Sequence, residues 1–255
     1  MEMALADSKQ SLNGRWALIT GAAKRIGEAI ATDLHRAGAN VAIHYFRSAE
    51  PAEQLVARLN SERPESAFAI GSDLRRLSGL EKLISDLVAR TGRLDVLVNN
   101  ASSFYPTALG TVTEAQWDDL INSNLRAPLF LSQAALPHLQ QSNGCIVNIV
   151  DIHADRPLKD HPVYGAAKAG LAMLTRSLAK DLGPAIRVNG VAPGAILWPE
   201  SGMPEKIQQN IIREIPLKRA GDPNDIAAAV LFLVRDAPYI TGQIIAVDGG
   251  RSVGW

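Results

Sequence analysis

The sequence has only one cysteine, Cys145, in its 255 residues. No disulfide can therefore form within the chain, and a single thiol suits a reducing compartment. Cys145 lies in a short apolar run that predicts a buried strand, which indicates core packing and not a nucleophile. The first residues, Met1 to Leu12, lack the apolar core of a secretion signal. The sequence therefore predicts a cytoplasmic protein that begins with a short tail.

The chain also lacks net charge and long apolar runs. Its 26 Lys and Arg residues balance 26 Asp and Glu residues, so the formal net charge is zero. Such a balance predicts no surface for nucleic acid or for an acidic membrane. No apolar run approaches the length of a membrane span. The expected partner is therefore a small-molecule substrate, with no nucleic acid and no membrane.

What the sequence does contain is a regular alternation of short apolar runs and longer helical patterns. The runs that predict strands are Trp16–Thr20, Val41–Tyr45, Ala67–Ile70, Leu94–Asn99, Cys145–Val150, Ile186–Val191 and Ile244–Val247. The stretches that predict helices are Arg25–Ala37, Pro51–Asn60, Gly79–Arg90, Thr113–Leu139 with a break near Asn124–Pro128, Val163–Leu182 and Asp222–Val234. This alternation predicts an α/β fold, a doubly wound parallel sheet with helices on both faces.

No low-complexity linker or internal repeat divides the chain, so one domain is the simplest interpretation. We expect residues 1–12 to form a tail and residues 13–255 a single domain. A proline-containing segment around 193–215, with a short helical piece at Glu205–Ile212, interrupts the alternation. It is expected to cover a substrate pocket, or else to be a structural surface excursion.

Tyr164 and Lys168 are four residues apart at the start of a predicted helix, so they share one helix face. A free phenol has a pKa near ~10, and a nearby ammonium lowers it towards the working range. The pair therefore predicts a proton-delivery site if this face lines a pocket. The alternative is a packed aromatic ring beside a solvated lysine. The position after a strand end favours a ligand site, because open α/β sheets bind their ligands there.

A glycine-containing loop, Thr20 to Gly27, joins the first predicted strand to the first helix. Gly21 and Gly27 fit positions where the backbone must approach a pyrophosphate at a helix N-terminus. Arg25 takes the place of the usual middle glycine, so the loop departs from the standard dinucleotide fingerprint. Alone, Gly21 is equally explained as a turn residue and Gly27 as a helix–sheet contact.

The end of the second strand distinguishes the cofactor. An acidic residue there would bind the ribose 2′-hydroxyl of NAD, but the sequence has Arg47 and Ser48 instead. A cation and a hydroxyl suit a 2′-phosphate, which predicts NADP(H). Arg47 is otherwise a solvated loop residue. Asp73, after the third strand, is placed to accept a hydrogen bond from the adenine amino group.

Several motifs together resemble those of the short-chain dehydrogenase/reductase family. They are Thr20-Gly21-x-x-x-Arg25-x-Gly27, Asn99-Asn100-Ala101, Asn124, Tyr164-x-x-x-Lys168, Pro193-Gly194 and Asp248-Gly249-Gly250. The resemblance implies that residues 13–255 form a single Rossmann-type, dinucleotide-binding catalytic domain, with a seven-stranded sheet and NAD(P) across its carboxyl edge, in a homotetramer or homodimer. It implies that Tyr164 donates a proton and that Lys168 lowers its pKa and holds the nicotinamide ribose. Asn124 would support a proton relay, or would cap a helix break.

Asp151 is the main departure from that family, which normally has serine thirteen residues before Tyr164. A carboxylate donates no hydrogen bond to a carbonyl oxygen and repels a developing alkoxide, but it accepts from ring N–H groups. Asp151 therefore favours reduction of a C=N bond over a C=O bond, unless it merely caps its loop. Together with Arg25 and Arg47-Ser48, it is similar to the pteridine reductase branch of the family.

That branch resemblance extends over Asn99 to Thr107 and implies a pterin site. Phe104 would stack on the pterin, which then lies between this ring and the nicotinamide; the alternative is a packing residue. The predicted substrate-binding residues are Arg25, Ser102, Phe104, Asp151, Tyr164 and Trp198. The predicted cofactor-binding residues are Gly21, Arg25, Ile26, Gly27, Tyr45, Phe46, Arg47, Ser48, Asp73, Leu74, Asn100, Ala101, Ser102, Tyr164, Lys168, Pro193, Gly194 and Ile196.

The resulting hypothesis is an NADPH-dependent pteridine reductase that transfers hydride to a C=N bond of a dihydropterin or pterin. Dihydrofolate would be a further substrate. The catalytic residues of this enzyme would be Asp151, Tyr164, Lys168 and Asn124, with no metal. One alternative is a carbonyl reductase of the same family, such as a 3-oxoacyl-carrier-protein reductase. The other is a non-catalytic NADP-binding regulator. The loop histidines His153 and His161 are expected to be solvated or to cap their loop.

Overall fold

The computed structural model describes residues 11–198 and 202–253. Most of the predicted N-terminal tail, residues 199–201 of the predicted substrate loop and the last two residues lie outside this range. In the described part, no helix has the length and apolar character needed to cross a membrane.

Seven parallel strands form one sheet. They are β1 (Trp16–Ile19), β2 (Asn40–Tyr45), β3 (Ala67–Gly71), β4 (Val96–Asn99), β5 (Cys145–Ile149), β6 (Arg187–Pro193) and β7 (Ile244–Val247). Their order across the sheet is β3-β2-β1-β4-β5-β6-β7, and every neighbouring pair is parallel. The strand order reverses between β1 and β4, which opens a crevice at their carboxyl ends. The predicted doubly wound sheet is confirmed.

Eight α-helices accompany these strands in the described residues. They are α1 (Arg25–Arg36), α2 (Ala49–Glu62), α3 (Leu77–Thr91), α4 (Glu114–Ile121), α5 (Ala127–Ser142), α6 (Pro162–Leu182), α7 (Glu205–Glu214) and α8 (Pro223–Leu231). Their bounds agree with the predicted helices to within a few residues. The exposed helix α7, which has no buried residue, lies within the segment around 193–215 that was predicted to cover the pocket.

The core lies on both faces of the sheet because successive strand residues point in opposite directions. In β4, Val96 and Val98 belong to the apolar cluster that includes α1, α2 and α8, whereas Leu97 belongs to the cluster with α3 and α5. Strands buried on both faces read as continuous apolar runs, which is why the sequence shows them so clearly. Each fully buried aliphatic side chain contributes roughly 2 kcal/mol of transfer free energy.

The predicted helix Thr113–Leu139 is divided by a π-helical turn. This turn spans Asn122–Arg126 and separates α4 from α5, and its carbonyl at Asn122 accepts from the amide of Ala127. Pro128 in the first turn of α5 has no amide hydrogen to donate, which favours an interruption at this point. The predicted break near Asn124–Pro128 therefore corresponds to an extra residue in the helical ladder and not to a loop.

Candidate active site

Asp151 and Tyr164 form a hydrogen-bonded pair at the carboxyl edge of the sheet. Asp151 lies two residues after the end of β5, and Tyr164 lies in the first turn of α6. The Tyr164 hydroxyl donates to Asp151 Oδ2 across 2.7 Å. The other carboxylate oxygen, Oδ1, accepts the amide of His153 at 2.8 Å, which fixes the carboxyl group. The side chain thus caps its loop and contacts the phenol at the same time.

Burial raises the pKa of the Tyr164 phenol well above its usual value, and the neighbouring Asp151 charge raises it further. This is opposite to the lowering that we expected from Lys168. The hydroxyl of Tyr164 contacts an anion, whereas the Lys168 ammonium lies 5.6 Å from the centre of the phenol ring. The lysine instead donates to the carbonyl of Ile149 at 2.9 Å. Tyr164 is therefore a neutral phenol that retains its proton at neutral pH.

Lys168 is fully enclosed beneath this pair, with 2% of its surface exposed. Burial lowers the pKa of its ammonium from 10.5 to about 8, against the opposing attraction of Asp151. An ammonium in so dry a position keeps its charge at neutral pH but loses it readily above that. Tyr164 and Lys168 share one face of α6, as their spacing predicted.

Asn124 lies in the π-helical turn and is buried. Its side-chain amide donates to the carbonyls of Ser103 and Leu120 at 2.9 and 3.0 Å, and its oxygen accepts from the Ser102 hydroxyl at 2.7 Å. Asn124 therefore ties the loop after β4 to the turn beside α6. The side chain thus holds the helix interruption and reaches a hydroxyl of the site, and its part in a proton relay stays a prediction.

Phe104 projects from the loop after β4 and leaves half of its surface exposed. Its ring packs edge-on against Tyr164, with centroids 4.8 Å apart and an interplanar angle of 76°. The imidazole of His161 stacks on it at 4.8 Å and 15°. His161 also bonds the carbonyl of Lys159 through Nδ1, as expected for a loop-capping histidine. The stack on Phe104 was not predicted.

The glycine-containing loop is held against the ends of β2 and β4. Asn100 donates from its side-chain amide to the carbonyls of Thr20 and Gly21, at 2.8 and 3.1 Å. The amide of Gly21 donates to His44 Nδ1 at 3.1 Å. A Cβ atom on Gly27 would lie 2.5 Å from the Gly21 carbonyl oxygen, so only glycine lets α1 start this close to the loop. The structure thus brings these loop residues to the crevice of the sheet.

Arg25 has a backbone φ of 58°, in the left-handed region that favours glycine. This explains why the family pattern has glycine here. For a residue with a Cβ atom, the left-handed conformation costs roughly 1 kcal/mol of free energy. The guanidinium donates to the carbonyl of Trp198 at 3.3 Å, although 173 residues separate the two. The predicted substrate residues Arg25 and Trp198 therefore meet at the edge of the site.

The ends of β2 and β3 form a basic, aromatic corner. Phe46 is half exposed, and the guanidinium carbons of Arg47 and Arg75 each lie 4.9 Å from its ring centroid. Asp73, predicted to accept from adenine, is held by Arg75 through bonds of 2.9 and 3.0 Å. A cavity of about 290 Å³ lies here, lined by His44, Phe46, Arg47, Asp73, Leu74, Arg75, Ala101, Ser102, Ser103, Asp119 and Ser123.

Other predicted cofactor residues divide into those at the edge and those in the core. The side chains of Ile26, Leu74 and Ile196 pack against the apolar clusters, so they offer a ligand mainly their backbone. Five more of the predicted cofactor-binding residues lie at the carboxyl edge, at or shortly after strand ends: Tyr45, Ser48, Ala101, Pro193 and Gly194. Gly194 donates to the carbonyl of Val247, which joins the two motifs that follow β6 and β7.

The sequence did not predict a site role for three residues that lie here. His44 lay within a predicted strand, His161 was expected to be solvated or to cap its loop, and no role was predicted for Arg75. Their roles depend on contacts across 23, 57 and 44 residues of sequence, to Gly21, Phe104 and Asp119. No local periodicity predicts such contacts. His44, next to the end of β2, and Arg75, four residues after β3, do lie near the carboxyl edge, where open α/β sheets bind their ligands.

Comparisons with known proteins agree with this geometry. The profile of the family described as Enoyl-(Acyl carrier protein) reductase (adh_short_C2) matches residues 21–252. Pteridine reductase 1 of Leishmania tarentolae is 38% identical over 93% of this chain and 96% of its own. The 3-oxoacyl-[acyl-carrier-protein] reductase FabG of Staphylococcus epidermidis is also 38% identical, over 92% of this chain and 97% of its own.

A solved structure shows the same architecture. A crystal structure described as a short-chain alcohol dehydrogenase from Sinorhizobium meliloti superposes with a TM-score of 0.91 at 34% identity, over 96% of this chain and 99% of that one. The family profile, the relatives and the shared fold each cover nearly the whole chain. With its sheet, its crevice and its Tyr164–Lys168 helix face, the chain belongs to the short-chain dehydrogenase/reductase family of oxidoreductases.

Proposed function

We propose that the protein is an NADPH-dependent pteridine reductase that reduces a C=N bond of a dihydropterin or pterin, with dihydrofolate as a further substrate. The observation that carries this proposal is the 2.7 Å hydrogen bond from the Tyr164 hydroxyl to Asp151. A carboxylate at this position offers acceptors only, so it disfavours an oxyanion and favours partners with N–H groups. Pterin rings present such groups beside the reducible bond.

The residues at the crevice fit the cofactor. The N-terminus of α1 has no side-chain cap at Lys24, so its first amides are available to a pyrophosphate. Gly21 and Gly27 let the loop pack closely against Ala101 and against the start of α1, which places the loop backbone at the crevice. The guanidinium of Arg47, beside the exposed Phe46 ring, supplies the cation that a ribose 2′-phosphate requires. These contacts support NADPH over NADH.

Tyr164 and Asp151 together deliver the proton. When bound, the cofactor supplies the hydride for the carbon atom of the C=N bond. The neutral Tyr164 phenol then donates its proton to the adjacent nitrogen, and its raised pKa ensures that the proton is present at neutral pH. Lys168, buried and cationic at neutral pH, stabilises the phenolate that results and holds the nicotinamide ribose. Asn124 fixes Ser102 at the edge of this group.

The substrate ring is held by stacking. One face of Phe104 carries His161, and the exposed remainder of the ring is free for a flat heteroaromatic molecule. Arg25 and Ser102 provide polar groups at the rim, and Trp198 borders it from the segment after β6. Such a pocket orients the C=N bond towards the nicotinamide position and the phenol of Tyr164 together.

The test is steady-state oxidation of NADPH with dihydrobiopterin as substrate. We expect turnover by the wild type and a loss of about 10²-fold or more in Tyr164→Phe and Asp151→Ala, with NADPH affinity retained. Undiminished turnover in both variants would contradict the assignment. Binding of NADPH without turnover of any pterin, ketone or thioester would support a non-catalytic regulator instead.

A carbonyl reductase acting on 3-oxoacyl thioesters is the second candidate. It is favoured by the equal 38% identity to the Staphylococcus epidermidis reductase. It is disfavoured by Asp151, which replaces a hydroxyl that would donate to the carbonyl oxygen. A panel of ketones, acyl thioesters and pterins at equal concentration separates the two, since a clear preference for the thioester would overturn the pterin assignment.

We also propose that the chain assembles as a homotetramer or homodimer. Large apolar side chains are exposed on three neighbouring helices: Trp117 on α4, Leu129 on α5 and Met173 on α6. Their exposed fractions are 49, 37 and 61%, and apolar side chains exposed together on adjacent helices are typical of a subunit interface. Light scattering of the purified protein measures the subunit number directly, and a monomer would overturn this proposal.

A further inference from the structure

Arg75 connects two parts of the groove that lie on different elements. Its guanidinium bonds both oxygens of Asp73 after β3, at 2.9 and 3.0 Å, and one oxygen of Asp119 on α4 at 3.1 Å. The same guanidinium lies over the ring of Phe46 at the end of β2. One side chain therefore contacts the corner proposed for the adenosine end of the cofactor and also the helix that precedes the π-helical turn.

From Asp119 the connection continues to the loop after β4 that carries Phe104. The second oxygen of Asp119 accepts the Tyr105 hydroxyl at 3.1 Å. Tyr105 directly follows Phe104, whose ring is proposed to stack on the substrate. The pKa of Tyr105 is raised by burial and by the Asp119 charge, so its hydroxyl remains a donor at neutral pH. The path from Arg75 to the loop of Phe104 is thus made of two polar contacts.

A second connection runs through the backbone of Arg75. Its carbonyl accepts a hydrogen bond of 2.5 Å from the guanidinium of Arg126. Arg126 is the last residue of the π-helical turn that carries Asn124. The backbone and the side chain of Arg75 therefore both contact the segment that runs from α4 through this turn. A shift of Arg75 would displace its contacts with both Asp119 and Arg126.

We propose that Arg75 is a positioning residue that couples occupancy of the adenosine end of the cofactor groove to the loop that carries Phe104. The proposal rests on the proposed function in taking this groove as the NADPH site. Bound adenosine phosphate would compete with Arg75 for Asp73 and for the Phe46 ring. It would therefore rearrange these groups. Because Arg75 also anchors Asp119, the loop at Tyr105 would become ordered when the cofactor binds.

The energetics suit coupling better than simple stability. The Arg75 side chain is 36% exposed and its two carboxylate partners 19 and 25%, so the contacts are partly screened by water. A single ion pair of this kind adds little to the free energy of unfolding. Groups that share one hydrogen-bonded network, however, commonly show interaction energies equivalent to about a tenfold change in an equilibrium constant. Loss of Arg75 also leaves two carboxylates without their common cation.

Hydrogen exchange with and without NADP⁺ tests the coupling. In the wild type we expect NADP⁺ to slow amide exchange in residues 21–27 and also in residues 103–107 and 119–126. In Arg75→Gln at saturating NADP⁺, the slowing in residues 21–27 should persist, whereas that in the other two segments should fall by roughly fivefold to tenfold. Arg76→Gln is the matched control, because this adjacent arginine approaches Asp73 at 3.8 Å and is 81% exposed.

Two further variants remove the same path at other points. Asp119→Asn and Tyr105→Phe should reduce the slowing in residues 103–107 as Arg75→Gln does, and Tyr105→Phe deletes a single hydroxyl, so its fold is retained. Combining Arg75→Gln with Asp119→Asn should add little to either change alone, as expected of one path. Wild-type slowing in Arg75→Gln and Tyr105→Phe, or an equal loss in Arg76→Gln, would overturn the coupling.

The assay is separate from the test of the substrate. If the protein reduces no pterin, exchange in the presence of NADP⁺ still measures the coupling. If NADP⁺ fails to slow exchange at residues 21–27 in the wild type, the cofactor site itself is wrong and the coupling falls with it. Slowing at residues 21–27 with an unaffected loop in the wild type would overturn the coupling alone.

Discussion

The ammonium of Lys168 lies 5.6 Å from the centroid of the Tyr164 ring, yet it donates its hydrogen bond to the carbonyl of Ile149. The phenol hydroxyl is bonded to Asp151 instead. The two titratable groups of the helix face therefore have opposite shifts: burial raises the pKa of Tyr164 and lowers that of Lys168 to about 8. Both remain protonated at neutral pH, which is the state that proton donation to a substrate requires.

The lowered pKa of Lys168 predicts a specific pH dependence of stability. Between about pH 8 and 10.5 the unfolded chain holds a proton on this lysine that the folded protein has lost, so the free energy of unfolding rises with pH in that window. The full effect is about 3 kcal/mol and is lost as the pH falls through 8. Tyr164 acts oppositely above pH 10, because only the unfolded chain releases its proton there.

We therefore expect urea unfolding of the wild type to show increasing stability from pH 7.5 to about pH 9.5 relative to Lys168→Met. The comparison isolates the lysine, since other groups titrate equally in both proteins. Lys180→Met is the control, because Lys180 is an exposed residue of the same helix. Parallel pH profiles for the wild type and Lys168→Met would show that the burial of this charge has no energetic consequence.

Replacing Asp151 by serine restores the hydroxyl that the family normally carries. We expect Asp151→Ser to lose about 10²-fold or more of its pterin turnover and to gain measurable reduction of a ketone, because the new group donates to a carbonyl oxygen. Removal of the carboxylate should also lower the pKa of Tyr164, so the alkaline limb of the activity profile should move to lower pH. Asp151→Asn keeps the shape without the charge, and full pterin turnover in both variants would refute the assigned role.

His44 is expected to control the glycine-containing loop through a fixed tautomer. Its Nδ1 accepts from the Gly21 amide and its Nε2 faces the Ser72 carbonyl, both at 3.1 Å, so Nε2 carries the hydrogen. Burial lowers the pKa of His44 to about 4, and stability is therefore lost as the pH falls from 6.5 towards 4, by up to about 3 kcal/mol.

His44→Ala should raise the dissociation constant of NADPH by about tenfold, with a larger effect on KM than on kcat, because it releases the loop and not the proton donor. Fluorescence titration of NADPH measures the change. His44→Asn retains an acceptor near Gly21 and should recover part of the affinity. His138→Ala removes a histidine of α5, far along the chain from the loop, and should bind NADPH normally. An unaltered affinity in His44→Ala would contradict the role.

The parts of this molecule that sequence predicts well are those set by local periodicity. Continuous apolar runs such as Cys145–Ile149 predict strands, because strands buried on both faces need them. The i,i+4 spacing of Tyr164 and Lys168 predicts their shared face. Strand ends meet at one edge of a parallel sheet, so the sequence predicts that Arg47 and Asp73 lie close together, as they do.

What sequence could not predict depends on which groups finally touch. The direction of the Tyr164 pKa shift follows from contact with Asp151, not from the presence of Lys168 four residues away. The contact of Arg75 with Asp119 spans 44 residues and requires the packed position of α4. The interruption at Asn124 was visible as a break, but the extra residue in its hydrogen-bond ladder was not.

His161 is expected to support the ring of Phe104, which is proposed to stack on the substrate. Its Nδ1 bonds the Lys159 carbonyl, which can only accept, so the imidazole plane is fixed while its face covers Phe104 at 4.8 Å. An aromatic pair is worth about 0.5–1.5 kcal/mol, so His161→Ala should raise the KM for dihydrobiopterin by roughly twofold to tenfold with a smaller change in kcat. His161→Phe keeps a stacking face and should stay near the wild-type KM. An unchanged KM in His161→Ala, alongside a raised KM in Phe104→Ala, would show that Phe104 binds the substrate without this support.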